Sequence, residues 1–400
     1  MQKQKKKYPS FFRKAVGQVH LWLGLVSGIV VIILGITGCL YTFQKEISEA
    51  VWKEKFFVQP QQKVLPLSTL LATAQKALGE AQPVESVTAY KQPDRSWEFM
   101  AYKLNDTAVT YFSSVEYFRS AFVNPYTGTV TGIRDYKYDF FNIVKYIHWS
   151  LLLNTKYGQP IVGYSTLAFV ILLITGLVLW YPRKWNKATK KQAFTINWKA
   201  KYKRFNYDLH NVPGFYTLLI ALVLALTGLV YSFQWFSGLV YYMGSGTTTY
   251  PYKEVVSDTA AAKTPNALDM AYATAAAELT EAGRLLVSPA EGKKSTISVY
   301  GYTGKETYYK VDAMQFDQYT GKKLYRRNYS ELNGGEKIMQ ANYDIHVGAI
   351  GGLPGKIIAF IVSLIAASLP VTGFLIWWWK RKKPGAKQAV IKTVPPVANI

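Results

Sequence analysis

Cysteine is almost missing from this 400-residue chain, where Cys39 stands alone. No intrachain disulfide is possible, and zinc ribbons or thiolate-held iron–sulfur clusters, which need several cysteines, are excluded. The sequence has no CxxCH, which excludes covalently attached haem. Histidine is nearly as scarce, at His20, His148, His210 and His346 only. Charged residues make up 18% of the chain, below the usual quarter of soluble proteins. Acids are the rarer sign, 24 against 47 basic residues. What abounds is apolar and aromatic: half the residues are hydrophobic, with 11 Trp, 30 Tyr and 20 Phe, a composition that excludes disorder. The length predicts two or three domains at about 150 residues each.

Four long apolar runs stand out: Val19 to Phe43, Ile161 to Tyr181, Pro213 to Phe236 and Ile357 to Trp379. None contains Asp, Glu, Lys or Arg. Each is long enough to cross a hydrocarbon core of about 30 Å as a helix. The first is too long for the apolar region of a signal peptide and lacks a small-residue cleavage site, so it reads as an anchor. The basic residues cluster between the spans. Residues 1–14 carry six, the loop 183–209 carries nine against the single acid Asp208, and the tail from Lys380 carries six. By the positive-inside rule both termini and the middle loop are expected in the cytoplasm. The net charge of +23 thus reads as a topology signal, and nucleic acid is not an expected partner.

The chain also repeats itself. His20-x3-Gly24, twelve residues and TGCLYTFQ (37–44) match His210-x3-Gly214, twelve residues and TGLVYSFQ (227–234) without a gap. ITGLVLWYPRK (174–184) matches VTGFLIWWWKRK (371–382), and NPYTGTV (124–130) matches DQYTGKKL (317–324). The expected fold is a membrane α-helical one: a four-helix bundle from a parallel internal duplication, with two extracytoplasmic α+β domains. The expected segments are 1–43 (N-terminus and first span), 44–147 (first outer domain), 148–182 (outer histidine and second span) and 183–212 (basic loop). They continue as 213–236 (third span), 237–345 (second outer domain), 346–379 (outer histidine and fourth span) and 380–400 (basic tail).

All four histidines fall at repeat-related positions. His20 is therefore expected to face His210 near the cytoplasmic side, and His148 to face His346 near the outer side. Ionisable groups at membrane depth are costly and usually functional. Two histidines from facing helices suit the two axial positions of a haem iron, whereas zinc or copper usually takes more protein ligands. Each span holds one Thr-Gly, whose glycines are Gly38, Gly176, Gly228 and Gly373. Gly38 and Gly228 lie about 27 Å along the helix from their histidines, at the depth of the outer pair. Gly176 and Gly373 return to the depth of the inner pair. A flat macrocycle needs small residues where it meets a helix, and plain helix packing uses them too.

Other features are less specific. Trp180, Tyr181, Trp377, Trp378 and Trp379 read as an interfacial belt. Tyr41, Gln44, Tyr231 and Gln234 sit at the depth of the outer pair, where propionates or lipid headgroups are both suitable partners. Arg13 and Lys14 have the same two choices at the inner side. Asp208 is placed to support His210, although a residue at i−2 lies off its helical face. Cys39 reads as a packing residue. In the outer segments, Ser68 to Ala81 and Asn266 to Ala282 read as helices, the first capped by Ser or Thr. SVTAY (86–90), STISVYGY (295–302) and TYYKVDAMQFD (307–317) read as antiparallel strands. These segments hold no histidine away from their ends, which excludes a Ser/His/Asp triad, and no phosphate-binding Gly-rich loop follows a strand.

HLWLGL (20–25), NYDLHNVPGFY (206–216), TGLVLWYPRK (175–184) and VNPYTGTV (123–130) resemble the motifs of the PepSY-associated transmembrane family of iron-regulated membrane proteins and siderophore reductases. The resemblance covers essentially the whole chain. It implies haem b, two groups on four axial histidines, in the bacterial inner membrane, and PepSY-like outer domains. It further implies reduction of ferric iron, often siderophore-bound, in the periplasm, with a quinol or a cytoplasmic reductase as electron donor and membrane lipid as surroundings. One departure is the short, glycine-rich VGAIGGLPG that follows His346. Two alternatives stand beside this reading: a non-enzymatic, membrane-anchored PepSY binding or regulatory protein, and a haem electron conduit to a different acceptor.

Overall fold

The computed structural model describes residues 11–251, 253–304 and 307–381. The basic residues Lys3, Lys5, Lys6 and Lys7, and the tail beyond Arg381, lie outside the described residues. Among the described residues four helices are long and apolar enough to cross a membrane. They are α1 (Phe11–Thr42), α4 (Thr155–Trp180), α5 (Tyr202–Ser232) and α8 (Gly352–Arg381). The remaining main helices are α2 (Leu67–Leu78), α3 (Phe140–Ser150), α6 (Ala267–Glu278) and α7 (Gly334–His346). The spans begin before the apolar runs do, because polar turns such as YKRFNYDLH extend the helix beyond them. In the bundle α1 packs on α4 and α8, and α5 packs on the same two, so α1 and α5 stand on one diagonal. α1 meets α8 tightly at Gly35, where a Cβ would come within 2.7 Å of both Ala367 Cβ and the Ser363 carbonyl. Only a glycine permits that approach.

At one end of the bundle the two outer segments share one antiparallel sheet of eight strands. Its strands are β1 (Ser86–Tyr90), β2 (Trp97–Leu104), β3 (Val115–Val123), β4 (Val130–Asp135), β5 (Arg284–Ser288), β6 (Thr296–Tyr302), β7 (Val311–Asp317) and β8 (Lys323–Arg327). Their spatial order is β4-β3-β2-β1-β5-β6-β7-β8. The two segments were expected as two units; their first strands pair directly, Val87 with Val287 and Tyr90 with Arg284, and make one layer. Strand alternation then decides what faces what. Val87, Ala89, Phe99, Leu285, Val287 and Val299 turn to α2 and α6 and form the main soluble core. The expected Ser or Thr cap of α2 is not there: Pro66 occupies that position, and Ser68 instead gives its N–H and hydroxyl to Asp269 of α6, at 2.8 and 2.6 Å.

The sheet's opposite face rests on α3 and α7. Tyr102 of β2 and Tyr146 of α3 share a hydroxyl–hydroxyl hydrogen bond of 3.3 Å. On the other side the Tyr308 and Tyr309 N–H groups both donate to Asp344 of α7 at 2.7 Å. Arg134 at the end of β4 forms a buried 2.8 Å ion pair with Asp139, which also caps α3 through the Asn142 N–H. The sheet is therefore clamped onto the two short helices that carry His148 and His346.

Candidate paired-histidine sites

The structure brings the four histidines together as two pairs. His20 of α1 and His210 of α5 have ring centroids 6.3 Å apart with planes at 88°. His148 of α3 and His346 of α7 are 6.0 Å apart at 67°. The second pair lies at the sheet end, the first at the far end. Helix geometry explains the pairing, since α1 and α5 are diagonal in the bundle, while α3 and α7 lead into the other diagonal, α4 and α8.

The corners after His148 and His346 reach the same result by different backbones. After α3 the chain turns through Leu151 and Leu152 at φ 55° and 59°, and Gly158 then passes so close that a Cβ would run into the Ser150 carbonyl. After α7 the shorter, glycine-rich segment turns at Gly348, φ 76°. A left-handed position costs glycine little and other residues more. The departure noted in VGAIGGLPG therefore changes the corner and leaves the pair closed.

Each imidazole docks on a Thr-Gly of the neighbouring helix in its own half of the chain. His20 Nδ1 meets Thr175 Oγ1 at 2.9 Å and His148 Nδ1 meets Thr37 Oγ1 at 3.0 Å. His210 Nδ1 meets Thr372 Oγ1 at 2.9 Å and His346 Nδ1 meets Thr227 Oγ1 at 2.9 Å. The glycine beside each threonine gives the ring its seat. A Cβ on Gly38, Gly176, Gly228 or Gly373 would stand 3.5, 3.4, 3.5 or 3.2 Å from the Cε1 of His148, His20, His346 or His210. The glycines thus border the imidazoles themselves. Composition and spacing drew attention to the glycines alone; the threonines carry the polar contact.

A second missed signal is the recurrence of NYDLH (206–210) as NYDIH (342–346). Asn206 donates to the Thr372 carbonyl at 3.0 Å, and Asn342 to the Thr227 carbonyl at 3.2 Å, so each asparagine grips the turn that holds its own histidine. Both aspartates are fully buried, at 0% exposure. Asp208 does not support His210. Its carboxylate takes the Asn197 N–H at 3.2 Å and pairs with Arg204 at 2.7 Å, because position i−2 points away from the histidine's face. Asp344 likewise holds Tyr308 and Tyr309 rather than His346. Burial pushes the Asp344 carboxyl above its ordinary range, while the two amides and Arg284 draw it back.

Two cavities surround the pairs. The sheet-side one, about 290 Å³, is walled by Tyr41, Tyr231, Tyr343, Trp149, Gln159 and Lys145 as well as by the histidines. The far-side one, about 1040 Å³, has Gly17, Gly24, Gly28, Gly176, Gly214 and Gly373 on its walls. Val31 and Phe169 line both and stand between them. Gln44 and Gln234 begin the helices Gln44–Val51 and Gln234–Ser245 and are not cavity walls. Arg13 and Lys14 line the far-side cavity. The Arg13 guanidinium donates to the Leu179 carbonyl in the last turn of α4 and to the Tyr181 carbonyl just beyond it. Cys39 is buried and donates to the Phe360 carbonyl at 3.3 Å, a packing role. Trp180 stacks on Phe215 at 3.8 Å beside the far-side cavity.

The donor chemistry fits a metal held between two imidazoles. With metal–nitrogen bonds of about 2 Å on each side, opposed rings have centroids roughly 6 Å apart, the separation seen in both pairs. Among the described residues no Nε2 of the four has a hydrogen-bond partner, whereas every Nδ1 has one. Small residues beside each pair leave space for a flat group between the helices.

Comparison with the curated proteins finds no match. The family described as the PepSY-associated TM region matches residues 18–381, a stretch that holds α1 from residue 18 onward, the other three spans, the whole sheet and all four histidines. The chain is a multi-pass membrane protein and belongs to the PepSY-associated TM family.

Proposed function

We propose that this protein is a b-type haem oxidoreductase of the bacterial inner membrane that carries electrons from the cytoplasmic side to ferric iron, most often as a ferric siderophore, on the periplasmic side. The observation that carries the reading is the pair of facing histidine couples at 6.3 and 6.0 Å, each with its Nδ1 engaged. The matched motifs support a parallel duplication, in which each half gives one ligand to each site. The basic loop and termini support a cytoplasmic position for the far side and, with it, a periplasmic one for the sheet.

His20 with His210, and His148 with His346, would hold the two haem irons. Haem so held supplies one-electron chemistry at a potential set by its ligands and surroundings. The chain's own work is to orient the imidazoles through the Thr-Gly turns and to exclude water with apolar walls. The sheet covers the periplasmic site and offers the surface on which a ferric chelate would rest. Once reduced, iron is held less tightly by hard oxygen ligands, so one electron is enough to loosen it from a chelator.

The test is an oxidised-minus-reduced visible spectrum of the purified full chain, with haem quantified per chain, followed by mixing of the reduced protein with ferric chelates. Bis-histidine bands at about two haems per chain and rapid reoxidation by the chelates are the expected results. A protein with no haem after expression with ample haem supply overturns the reading. Haem without chelate-driven reoxidation removes ferric iron as the acceptor.

A further inference from the structure

We infer that Thr37, Thr175, Thr227 and Thr372 are positioning residues that hold each histidine with its hydrogen on Nδ1, so that all four rings present a free lone pair at Nε2. The geometry stands on its own; its consequence for electron transfer rests on the haem reading above. A threonine hydroxyl has one hydrogen to give and lone pairs to accept with. In all four threonines the hydroxyl lies against the carbonyl four residues earlier: Ile33 at 2.6 Å, Ile171 at 2.7 Å, Val223 at 2.8 Å and Ser368 at 3.0 Å. A carbonyl can only accept, so the hydroxyl hydrogen is spent there. This back-bond is an ordinary state for threonine within a helix, and the hydrogen is committed without help from the imidazole.

The threonine oxygen can therefore only accept from the ring, and Nδ1, at 2.9–3.0 Å, must donate. Two of the four rings provide an independent check. His210 Nδ1 also lies 3.1 Å from the Leu369 carbonyl, and His346 Nδ1 lies 3.0 Å from the Leu224 carbonyl. Those oxygens are acceptors as well. A neutral imidazole with its hydrogen on Nδ1 leaves Nε2 as the unprotonated nitrogen, the form a metal ion binds. Asn206 and Asn342 strengthen two of the four docks by gripping the carbonyls of Thr372 and Thr227. A hydrogen bond accepted from the far nitrogen also raises the basicity of the ligating one, as outer partners of metal-bound histidines do.

The experiment uses the full chain in two forms. In haem-free protein with 15N-labelled histidine, nitrogen NMR reads the tautomer of the four rings, and hydrogen on Nδ1 is expected in each. In haem-loaded protein, Thr37→Val keeps the volume and removes the acceptor, while Thr37→Ser keeps the acceptor and removes a methyl. Thr37→Val is expected to weaken haem retention at the His148/His346 site by about tenfold or more. It should also raise that site's midpoint potential, by about 59 mV for each tenfold selective loss of affinity for the oxidised form. Thr37→Ser should retain both properties, and the His20/His210 site should not change. A purely structural role predicts the reverse order, with Ser the worse substitution. Rings protonated on Nε2, or a Val variant with unchanged potential and retention, overturn the inference. Wild-type protein that takes up no haem yet shows four Nδ1–H rings supports it and removes only the haem reading.

Discussion

The two histidine sites have the same polar parts and very different space. Each has two imidazoles, two Thr-Gly docks and a ring separation near 6 Å, yet one cavity measures about 290 Å³ and the other about 1040 Å³. The sheet-side walls carry Tyr41, Tyr231, Tyr343, Trp149 and Lys145, side chains brought in under the sheet. The far-side walls carry six glycines, with Arg13, Lys14 and Lys380 among the other lining residues. Ligand geometry therefore follows from helix register and a two-residue dock. The volume and polarity around it follow from what is stacked on each end of the bundle. The imidazole pairing can stay fixed while its neighbours set space and access independently.

Substitutions at the two ends break or sharpen this comparison. On the proposed haem reading the largest effect is expected from the histidines: His210→Ala should remove the far-side haem and His346→Ala the sheet-side one, each leaving about one haem per chain by pigment analysis. Loss of both from either variant would show that the sites are not independent. Next is Asp344→Ala, which deprives the Tyr308 and Tyr309 amides of their acceptor. Hydrogen bonds to a charged group are worth about 1.5–3 kcal/mol. Thermal unfolding should fall accordingly, and amide exchange should quicken at those two residues, with far-side haem retained.

Glycine substitutions should separate the sites by a smaller margin. An alanine at Gly373 would press its Cβ to 3.2 Å from His210 Cε1, while one at Gly228 would make an ordinary 3.5 Å contact with His346. Overpacking of this kind costs about 1–3 kcal/mol, so Gly373→Ala should lower far-side haem occupancy several-fold and Gly228→Ala should leave its site nearly full. The smallest effect concerns pH. Burial lowers the Lys145 ammonium to about 8, with Asp139 opposing the shift. The unfolded chain then binds the proton more tightly than the native one between pH 8 and about 10.4. Native stability is expected to rise with pH across that window, and the cost of the buried charge applies in full below it. Lys145→Met should remove the slope and raise stability at pH 7 by about 1 kcal/mol, allowing for water that reaches the amine. An unchanged slope in melting temperature against pH would show that the ammonium is not desolvated.

Much of the fold was legible because a membrane leaves few solutions. An apolar run of some twenty residues without charge must be a spanning helix, since backbone groups find no other partners in lipid. The strand segments at 86–90 and 296–302 were equally plain from their alternation. Less visible were contacts that depend on two distant segments meeting. Asp208 looked like a partner for His210 by proximity in sequence, and it serves Asn197 and Arg204 instead. Thr37 and His148 are 111 residues apart, and nothing in either segment alone announces their bond. The doubled NYD-x-His motif was in the sequence, but its asparagines became meaningful only once the Thr372 and Thr227 carbonyls lay beside them.

By itself the sequence determined that there are four spans and four histidines at matching depths, because both follow from counting residues along a helix of constant rise. It also determined that each span offers a Thr-Gly. Only the tertiary structure decided which helices are diagonal, that the two outer segments join through β1 and β5, and that each Thr-Gly seats an imidazole. The reason is physical: depth along a helix is a local quantity, whereas azimuth, strand partner and the direction of a hydrogen bond are set by packing between segments far apart in the chain.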